Sequence, residues 1–114
     1  MKIEKFEDII AWQKSRQLSL LIYKLFINNK DYGFRDQIRR AAISIGNNIA
    51  EGFERRTNKE LKTFLFIAKG SSGEVRSMLY NALDLKYIDK NDCQTAYNLS
   101  LEISKLLSGF IKTL

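Results

Sequence analysis

The chain has 114 residues and a formal net charge of +6; 45% of its residues are hydrophobic and 28% are charged. This composition is typical of a single folded domain spanning residues 1–114 and excludes an intrinsically disordered chain, and the basic excess favours polyanionic partners. Because the chain has no histidine and only one cysteine, we expect no zinc site, no histidine-based catalysis and no internal disulfide, and we predict a protein that is not an enzyme and uses no metal or cofactor.

The first predicted helix runs from about Glu7 or Asp8 to Ile27, and its acidic start suits the positive end of a helix dipole. These acidic residues also occupy the place where a signal peptide would need an apolar core. No run of about 18 apolar residues is present, so the sequence predicts no membrane-spanning helix. We therefore expect a cytoplasmic protein that makes no contact with a membrane.

Two apolar stripes run along this first helix. The core stripe consists of Ala11, Leu18, Leu21 or Ile22, and Leu25 or Phe26, whereas the second stripe, on nearly the opposite side, consists of Ile9, Leu20, Tyr23 and Ile27. Single apolar residues are normal on a protein surface, but a stripe of them indicates a surface that contacts a partner. Both interpretations of the second stripe stay open at this point.

The second predicted helix covers residues 34–56 and follows a short turn at residues 28–33. Its core stripe consists of Phe34, Ile38, Ala41, Ala42, Ile45, Ile49, Gly52 and Phe53, while Ile43 lies off that stripe. If the prediction of a continuous helix fails anywhere, we expect a break within residues 44–50. Asn48 needs hydrogen-bond partners, and we expect these bonds to be structural. Two pairs, Asp36 with Arg40 and Glu51 with Arg55, have the supportive i,i+4 order. Solvated ion pairs are therefore the preferred interpretation of the arginines, and contact with nucleic acid is the alternative.

The third predicted helix begins at a capping box, in which Thr57 accepts from the backbone at Glu60 and the glutamate reaches back. The sequence GSSG at residues 70–73 lies inside an unbroken helical periodicity and follows no strand, so we interpret it as a helix crossing and not as a phosphate-binding loop. Phe66 points away from the core on the side of Gly70 and Gly73, which makes it a candidate for subunit contact.

A turn near residues 86–89 leads to a fourth helix, for which Asp89 is the expected N-cap. Cys93 has no basic neighbour in the sequence, so we expect an unreactive thiol. Four amphipathic helices joined by short turns predict an all-α protein, specifically an antiparallel up-down-up-down four-helix bundle.

The second helix and its flanks also resemble a known family. The segment IRRAAISIGNNIAEGFERR (38–56) is similar to the pattern DQIRRAxxSIPSNIAEGxxR of the four-helix-bundle proteins encoded within intervening sequences of bacterial 23S rRNA genes. FEDIIAWQKSRQLSLLIYKL (6–25) resembles the opening helix of that family, KELKTFLFIAKGSSGEVRSML (59–79) its third helix, and LKYI (85–88) its third turn.

Two departures from the family pattern bear on the backbone. Gly46-Asn47 stands where the family usually has Pro-Ser, and because glycine loosens a helix without kinking it, we expect a straighter helix here. Lys86 stands where the family usually has glycine before the tyrosine, which removes the usual left-handed cap residue.

The resemblance implies function only by analogy. Proteins of this family form homopentameric barrels, similar in shape to the accessory protein of diversity-generating retroelements, which engages RNA and a reverse transcriptase. By that analogy we expect self-association as a pentamer, with RNA or DNA and a reverse-transcriptase-like protein as possible partners.

Two sets of candidate residues follow. The candidates for contact with nucleic acid are Arg39, Arg40, Arg55, Arg56, Lys59 and Lys62, and those for the oligomer interface are Ile9, Leu20, Tyr23, Ile27, Ile43 and Phe66. Because no recognisable RNA-binding motif accompanies the basic residues, a protein-interaction adaptor that binds no nucleic acid remains the alternative function.

Overall fold

The computed structural model describes residues 2–114, and within that range the chain forms four α-helices and no strand. A short 3₁₀ turn at Phe6–Asp8 precedes the helices, which are α1 at Ile10–Leu25, α2 at Tyr32–Phe53, α3 at Asn58–Asp84 and α4 at Lys90–Lys112. The prediction of an all-α protein with four helices is therefore confirmed.

The helices pack side by side around one core, in a body that measures 43 × 22 × 19 Å. Helix α2 contacts α1 and α3, and α4 contacts α3 and α1, whereas the diagonal pairs α1–α3 and α2–α4 make no backbone approach between residues 2 and 114. Each helix therefore has two neighbours, as in a four-helix bundle.

The core consists of aliphatic side chains that recur every three or four residues on each helix. Its largest fully buried members are Phe26, Leu18, Ile22, Ile38, Ile45, Ile49, Leu65, Leu79, Ile103 and Leu107. Burying one such side chain contributes about 1.5–3 kcal/mol. The apolar periodicity of the sequence therefore corresponds to the stripe that each helix buries.

Helix α1 is shorter than predicted at both ends. It begins at Ile10, and Ile9 is its N-cap, with an extended backbone (φ −76°, ψ 119°) and only 3% of its surface exposed. The placement of Ile9 on the off-core stripe is therefore wrong, because helical spacing does not apply to a residue that precedes the helix. At the other end Phe26 leaves the helix at φ −110° and ψ 16°, so Ile27 is not helical either.

Helix α2 begins earlier and ends earlier than predicted. The Asp31 side chain accepts a hydrogen bond of 3.2 Å from the backbone N–H of Phe34, and it caps a helix that starts at Tyr32 and ends at Phe53. The helix continues without a break through residues 44–50. A Cβ atom at Gly46 would lie 2.7 Å from Ser15 Oγ, so this glycine is needed for the close approach of α1 to α2.

The ends of α3 and α4 follow their predicted caps. Thr57 Oγ1 accepts from the backbone N–H of Glu60 at 3.1 Å and donates to the Glu60 carboxylate, and Asp89 accepts from the backbone N–H of Asp92 at 2.8 Å. Both capping predictions are confirmed. The GSSG segment lies within α3, in agreement with the helical interpretation.

Lys86 takes over the role of the glycine that the family pattern has at this position. Its backbone is left-handed (φ 61°), its N–H donates to Leu83 O at 3.0 Å, and the N–H of Tyr87 donates to Ala82 O at 2.8 Å. This pair of bonds is the Schellman arrangement, which ends a helix and satisfies its last carbonyl groups. A lysine at positive φ carries a strain that glycine would avoid.

Candidate interaction surfaces

An apolar face is exposed along α1 and α2. Leu20 is 59% exposed and Ile27 64% exposed, and Tyr23 and Ile43 are also solvent-accessible. Phe66, on α3, is exposed as well. All of the predicted oligomer residues except Ile9 therefore lie on the surface of the single chain, where a partner could cover them.

Arginine side chains lie over tyrosine rings on this face. The Arg39 guanidinium lies 4.4 Å from the centre of the Tyr23 ring, and its Nη2 donates to the Tyr23 carbonyl at 3.1 Å. Arg35 lies 4.7 Å from the centre of the Tyr32 ring. The Nε atoms of both arginines are buried and have no acceptor among the described residues. Arg39 is thus held against the end of α1 by its own chain.

In the second predicted arginine pair, Arg55 and Arg56, the Arg55 side chain contacts other residues of the chain. Arg55 Nη2 lies 3.0 Å from Glu51 Oε1, as its i,i+4 spacing predicted, and the same guanidinium covers the Phe64 ring at 4.9 Å. The other predicted ion pair is not formed, because Asp36 contacts Arg35 at 3.6 Å and not Arg40. The adjacent arginine competes successfully for this carboxylate.

The predicted basic residues form two separate groups. Arg55, Arg56, Lys59 and Lys62 surround the turn between α2 and α3, as the sequence suggested. Arg39 lies fourteen residues before Phe53, the last residue of the unbroken helix α2, a distance of roughly 21 Å along the axis, and Arg55 lies beyond that end. The two arginine pairs therefore do not form one continuous site.

Asn48 forms the expected structural hydrogen bonds. Its Nδ2 donates to the Ser44 carbonyl at 2.8 Å and to Ser44 Oγ at 2.9 Å, and Ser44 Oγ lies 3.0 Å from Ser71 Oγ on α3. The Asn48 amide is therefore linked to α3 through Ser44 and not directly, and its hydrogen bonds are structural, as expected.

A polar cluster between α3 and α4 was not predicted. Arg76 Nη1 lies 2.7 Å from Ser104 Oγ and 3.2 Å from both the carbonyl and the Oγ of Ser100, and Ser72 Oγ donates to the Ser100 carbonyl at 2.8 Å. All three serines are buried, whereas Arg76 is half-buried. Serines at the core positions of two helices were the available sequence signal, but only the register between α3 and α4 reveals that they surround one arginine.

Arg76 has no carboxylate within ion-pair distance among residues 2–114. Glu74 precedes Arg76 by two residues on α3, and Glu102 lies between Ser100 and Ser104 on α4, but both acids contact other helices. Glu74 accepts a hydrogen bond of 3.3 Å from Gln37 of α2, and Glu102 lies 3.7 Å from Lys14 of α1. The positive charge of Arg76 is therefore held by neutral groups alone.

Two tyrosines form an aromatic pair farther along the same two helices. The rings of Tyr80 on α3 and Tyr97 on α4 meet edge to face with their centres 5.6 Å apart, and Tyr80 is 57% exposed. They line a cleft of about 360 Å³ together with Leu83, Lys90, Cys93 and Gln94. Burial raises the pKa of the Cys93 thiol, which favours its protonated, unreactive form.

Among the described residues, no group of three or more histidine, cysteine, aspartate or glutamate side chains could hold a metal ion. In the same part of the chain, no helix is both long enough and apolar enough to cross a membrane.

Comparison with known proteins identifies the family. The family model described as "23S rRNA-intervening sequence protein" matches residues 7–109. A search of the curated proteins gives no match. Among solved structures, the chain is similar to a protein of unknown function from the S23 ribosomal protein family of Bacteroides thetaiotaomicron, with 30% identity and a TM-score of 0.84 over 90% of this chain and 98% of the other. The chain therefore belongs to the family of 23S rRNA-intervening sequence proteins.

Proposed function

We propose that this protein is a non-enzymatic, homo-oligomeric scaffold that binds nucleic acid through basic side chains. The observation that carries the proposal is the exposed apolar face formed by Leu20, Tyr23, Ile27 and Ile43, on a chain whose net charge is +6. A second copy of the chain would cover this face, and assembly would multiply the positive charge that attracts a polyanion.

The proposed scaffold is an antiparallel up-down-up-down bundle. Its support is the order of side-chain contacts between neighbouring helices. Gln37 meets Glu74 and Ser44 meets Ser71, so residue numbers fall on α3 as they rise on α2. Short turns between consecutive helices favour the same topology.

The composition of the apolar face supports a protein partner. Interface centres are enriched in tyrosine and arginine and depleted in lysine. Arg39 lies on the Tyr23 ring at this face, so a tyrosine and an arginine are presented there together. The pentameric number is proposed from the family resemblance alone, as are a reverse-transcriptase-like partner and the cytoplasmic location.

Mass measurement by light scattering at micromolar concentration tests the assembly. The parent should have several times the mass of one 13.2 kDa chain, and Leu20→Glu/Ile27→Glu should shift it towards the monomer, because charged residues are costly to bury at an interface. Leu85→Glu is the control, since this leucine at the end of α3 is also exposed but is not one of the residues of the face. A monomeric parent would contradict the proposal.

Contact with nucleic acid is proposed for the basic residues around the α2–α3 turn, with Arg40 as a second, separate position, whereas Arg39 belongs to the face that a second copy would cover. Lysine and arginine there would contact phosphates without reading bases, so binding should be tolerant of sequence and sensitive to salt. Each phosphate contact adds about 0.9 to the log–log salt slope on duplex DNA and about 0.7 on single strands. The acidic neighbours Glu51 and Glu54 oppose binding, so affinity per subunit should be modest and should increase through assembly.

A binding titration across a salt series tests this second part. Labelled RNA and DNA are titrated with the parent, with Arg55→Glu/Arg56→Glu, and with Lys2→Glu/Lys5→Glu as the charge-matched control. The proposal expects weaker binding and a smaller salt slope for the arginine variant. If the parent binds nothing at low salt, the alternative function, a protein-interaction adaptor, is favoured.

A further inference from the structure

We propose that the groove between α3 and α4 binds single-stranded nucleic acid, with phosphates on Lys62, Lys69 and Arg76 and a base on the Tyr80–Tyr97 pair. This inference rests on the proposed binding of nucleic acid, and it assigns that function to a surface distinct from the α2–α3 turn.

Arg76 is the anchor of the groove because its guanidinium is fixed before any ligand arrives. Nη1 is bonded to Ser100 and Ser104, and Nη2, which has no hydrogen bond among the described residues, lies beside Gly73, where a Cβ atom would stand 3.7 Å away. No side chain of Gly73 therefore covers this edge. Because the Arg76 guanidinium is already held in place, binding a phosphate costs little side-chain entropy. The planar fork of arginine also fits the phosphate oxygens.

Two lysines extend this positive charge along α3. Lys62, Lys69 and Arg76 are spaced by seven residues, which is two helical turns, so they share one face with a rise of about 10.5 Å at each step. Glu74 contacts α2 and Glu102 contacts α1, so neither of these acids forms an ion pair with the row. The row is long enough to follow several nucleotides of one strand.

The aromatic pair Tyr80–Tyr97 continues the row of basic residues on α3, and it would favour unpaired bases. Tyr80 is one turn beyond Arg76 on the same helix, and its ring is exposed and braced edge-to-face by Tyr97. Lys90 lines the same cleft. Aromatic rings beside a basic groove stack on bases of any sequence, but only where those bases are unpaired. Asp84, one further turn along α3, is where the positive row ends.

Fluorescence anisotropy with a labelled oligo-uridine and with a duplex of the same length tests the groove. The parent should bind the single strand more tightly than the duplex. Lys69→Glu should weaken single-strand binding about tenfold and lower the salt slope by about 0.7, the share of one phosphate contact. Tyr80→Ala should weaken binding roughly tenfold with an unchanged slope, because stacking releases no counterions, whereas Tyr80→Phe should bind like the parent.

Two controls make the result decisive. Lys69 and Tyr80 are not fully buried, and each variant is accepted only with the helical circular dichroism and the assembly mass of the parent. Arg55→Glu/Arg56→Glu should weaken binding of the single strand and of the duplex to the same extent, because the α2–α3 turn contacts phosphates alone, whereas Tyr80→Ala should weaken binding of the single strand only. If the parent binds neither nucleic acid, the proposed function fails. If the parent binds while Lys69→Glu and Tyr80→Ala bind equally well, or if a poly-glutamate peptide competes as well as the oligonucleotide, the groove assignment alone is overturned.

Discussion

Gly52 should tolerate no side chain, and this prediction tests the packing of α2 against α3. A Cβ atom on Gly52 would lie 2.6 Å from Phe64 Cβ and 3.2 Å from Leu61 Cδ1. Carbon atoms normally meet at about 3.5–4.0 Å, so the helices would have to separate by roughly 1 Å at this end of the bundle. Phe64 Cβ is attached directly to the backbone and cannot rotate away.

The magnitude follows from two opposing effects. Overpacking of this kind costs about 1–3 kcal/mol, whereas replacing glycine by alanine in a helix gains up to about 1 kcal/mol. We therefore expect Gly52→Ala to destabilise the protein by about 1–2 kcal/mol, or roughly 4–8 °C in melting temperature at fixed protein concentration.

Gly109→Ala is the matched control for this substitution. Gly109 also lies near the C-terminal end of its helix, and a Cβ atom there would meet nothing within 4 Å. The same chemical change should therefore leave stability unchanged or raise it by up to about 1 kcal/mol. Urea unfolding followed by circular dichroism measures both variants. Equal effects of the two substitutions would refute the close approach of α2 to α3 at Gly52.

Two further predictions concern the ends of the helices. Lys86→Gly should raise the free energy of unfolding by about 1 kcal/mol, because the left-handed backbone of Lys86 is unstrained only for glycine; a urea midpoint that falls would contradict this. The hydrogen bond of 2.7 Å from Tyr87 to Asp31 lowers the pKa of the Asp31 carboxyl and raises the pKa of the Tyr87 hydroxyl. Its stabilising effect should be present at neutral pH and lost as pH falls through the lowered carboxyl pKa or rises through the raised phenol pKa. Unfolding midpoints of the parent and Tyr87→Phe should therefore differ near pH 7 and converge at both extremes, and a constant difference across the range would count against the bond.

Local patterns in the sequence predicted the helices because each depends on neighbours within one turn. Thr57 with Glu60 and Asp89 with the following N–H groups are caps whose partners lie three residues away. The apolar periodicity likewise identified buried residues such as Leu18 and Ile45. Ile9 was assigned wrongly because its position depends on where α1 begins, and that start has no side-chain cap to mark it.

The features that sequence reasoning missed depend on contacts between helices. The serine cluster joins Arg76 to serines that are 24 and 28 positions away, and the aromatic pair joins Tyr80 to a residue on the next helix. Neither the rotation nor the register of α3 and α4 can be read from periodicity alone. The contact between Arg39 and Tyr23 is of the same kind, since it links α2 to the end of α1.

The central claim is that the protein is a self-assembling scaffold that binds nucleic acid. Sedimentation velocity tests it most directly, with the protein mixed with a labelled single-stranded RNA. Separate absorbance signals report the mass of the protein species and the position of the RNA in one experiment. At low salt we expect protein of several times 13.2 kDa that carries the RNA with it, and we expect the RNA to be released at high salt while the protein mass is unchanged. A 13.2 kDa protein species that sediments apart from the RNA at low salt would contradict the account.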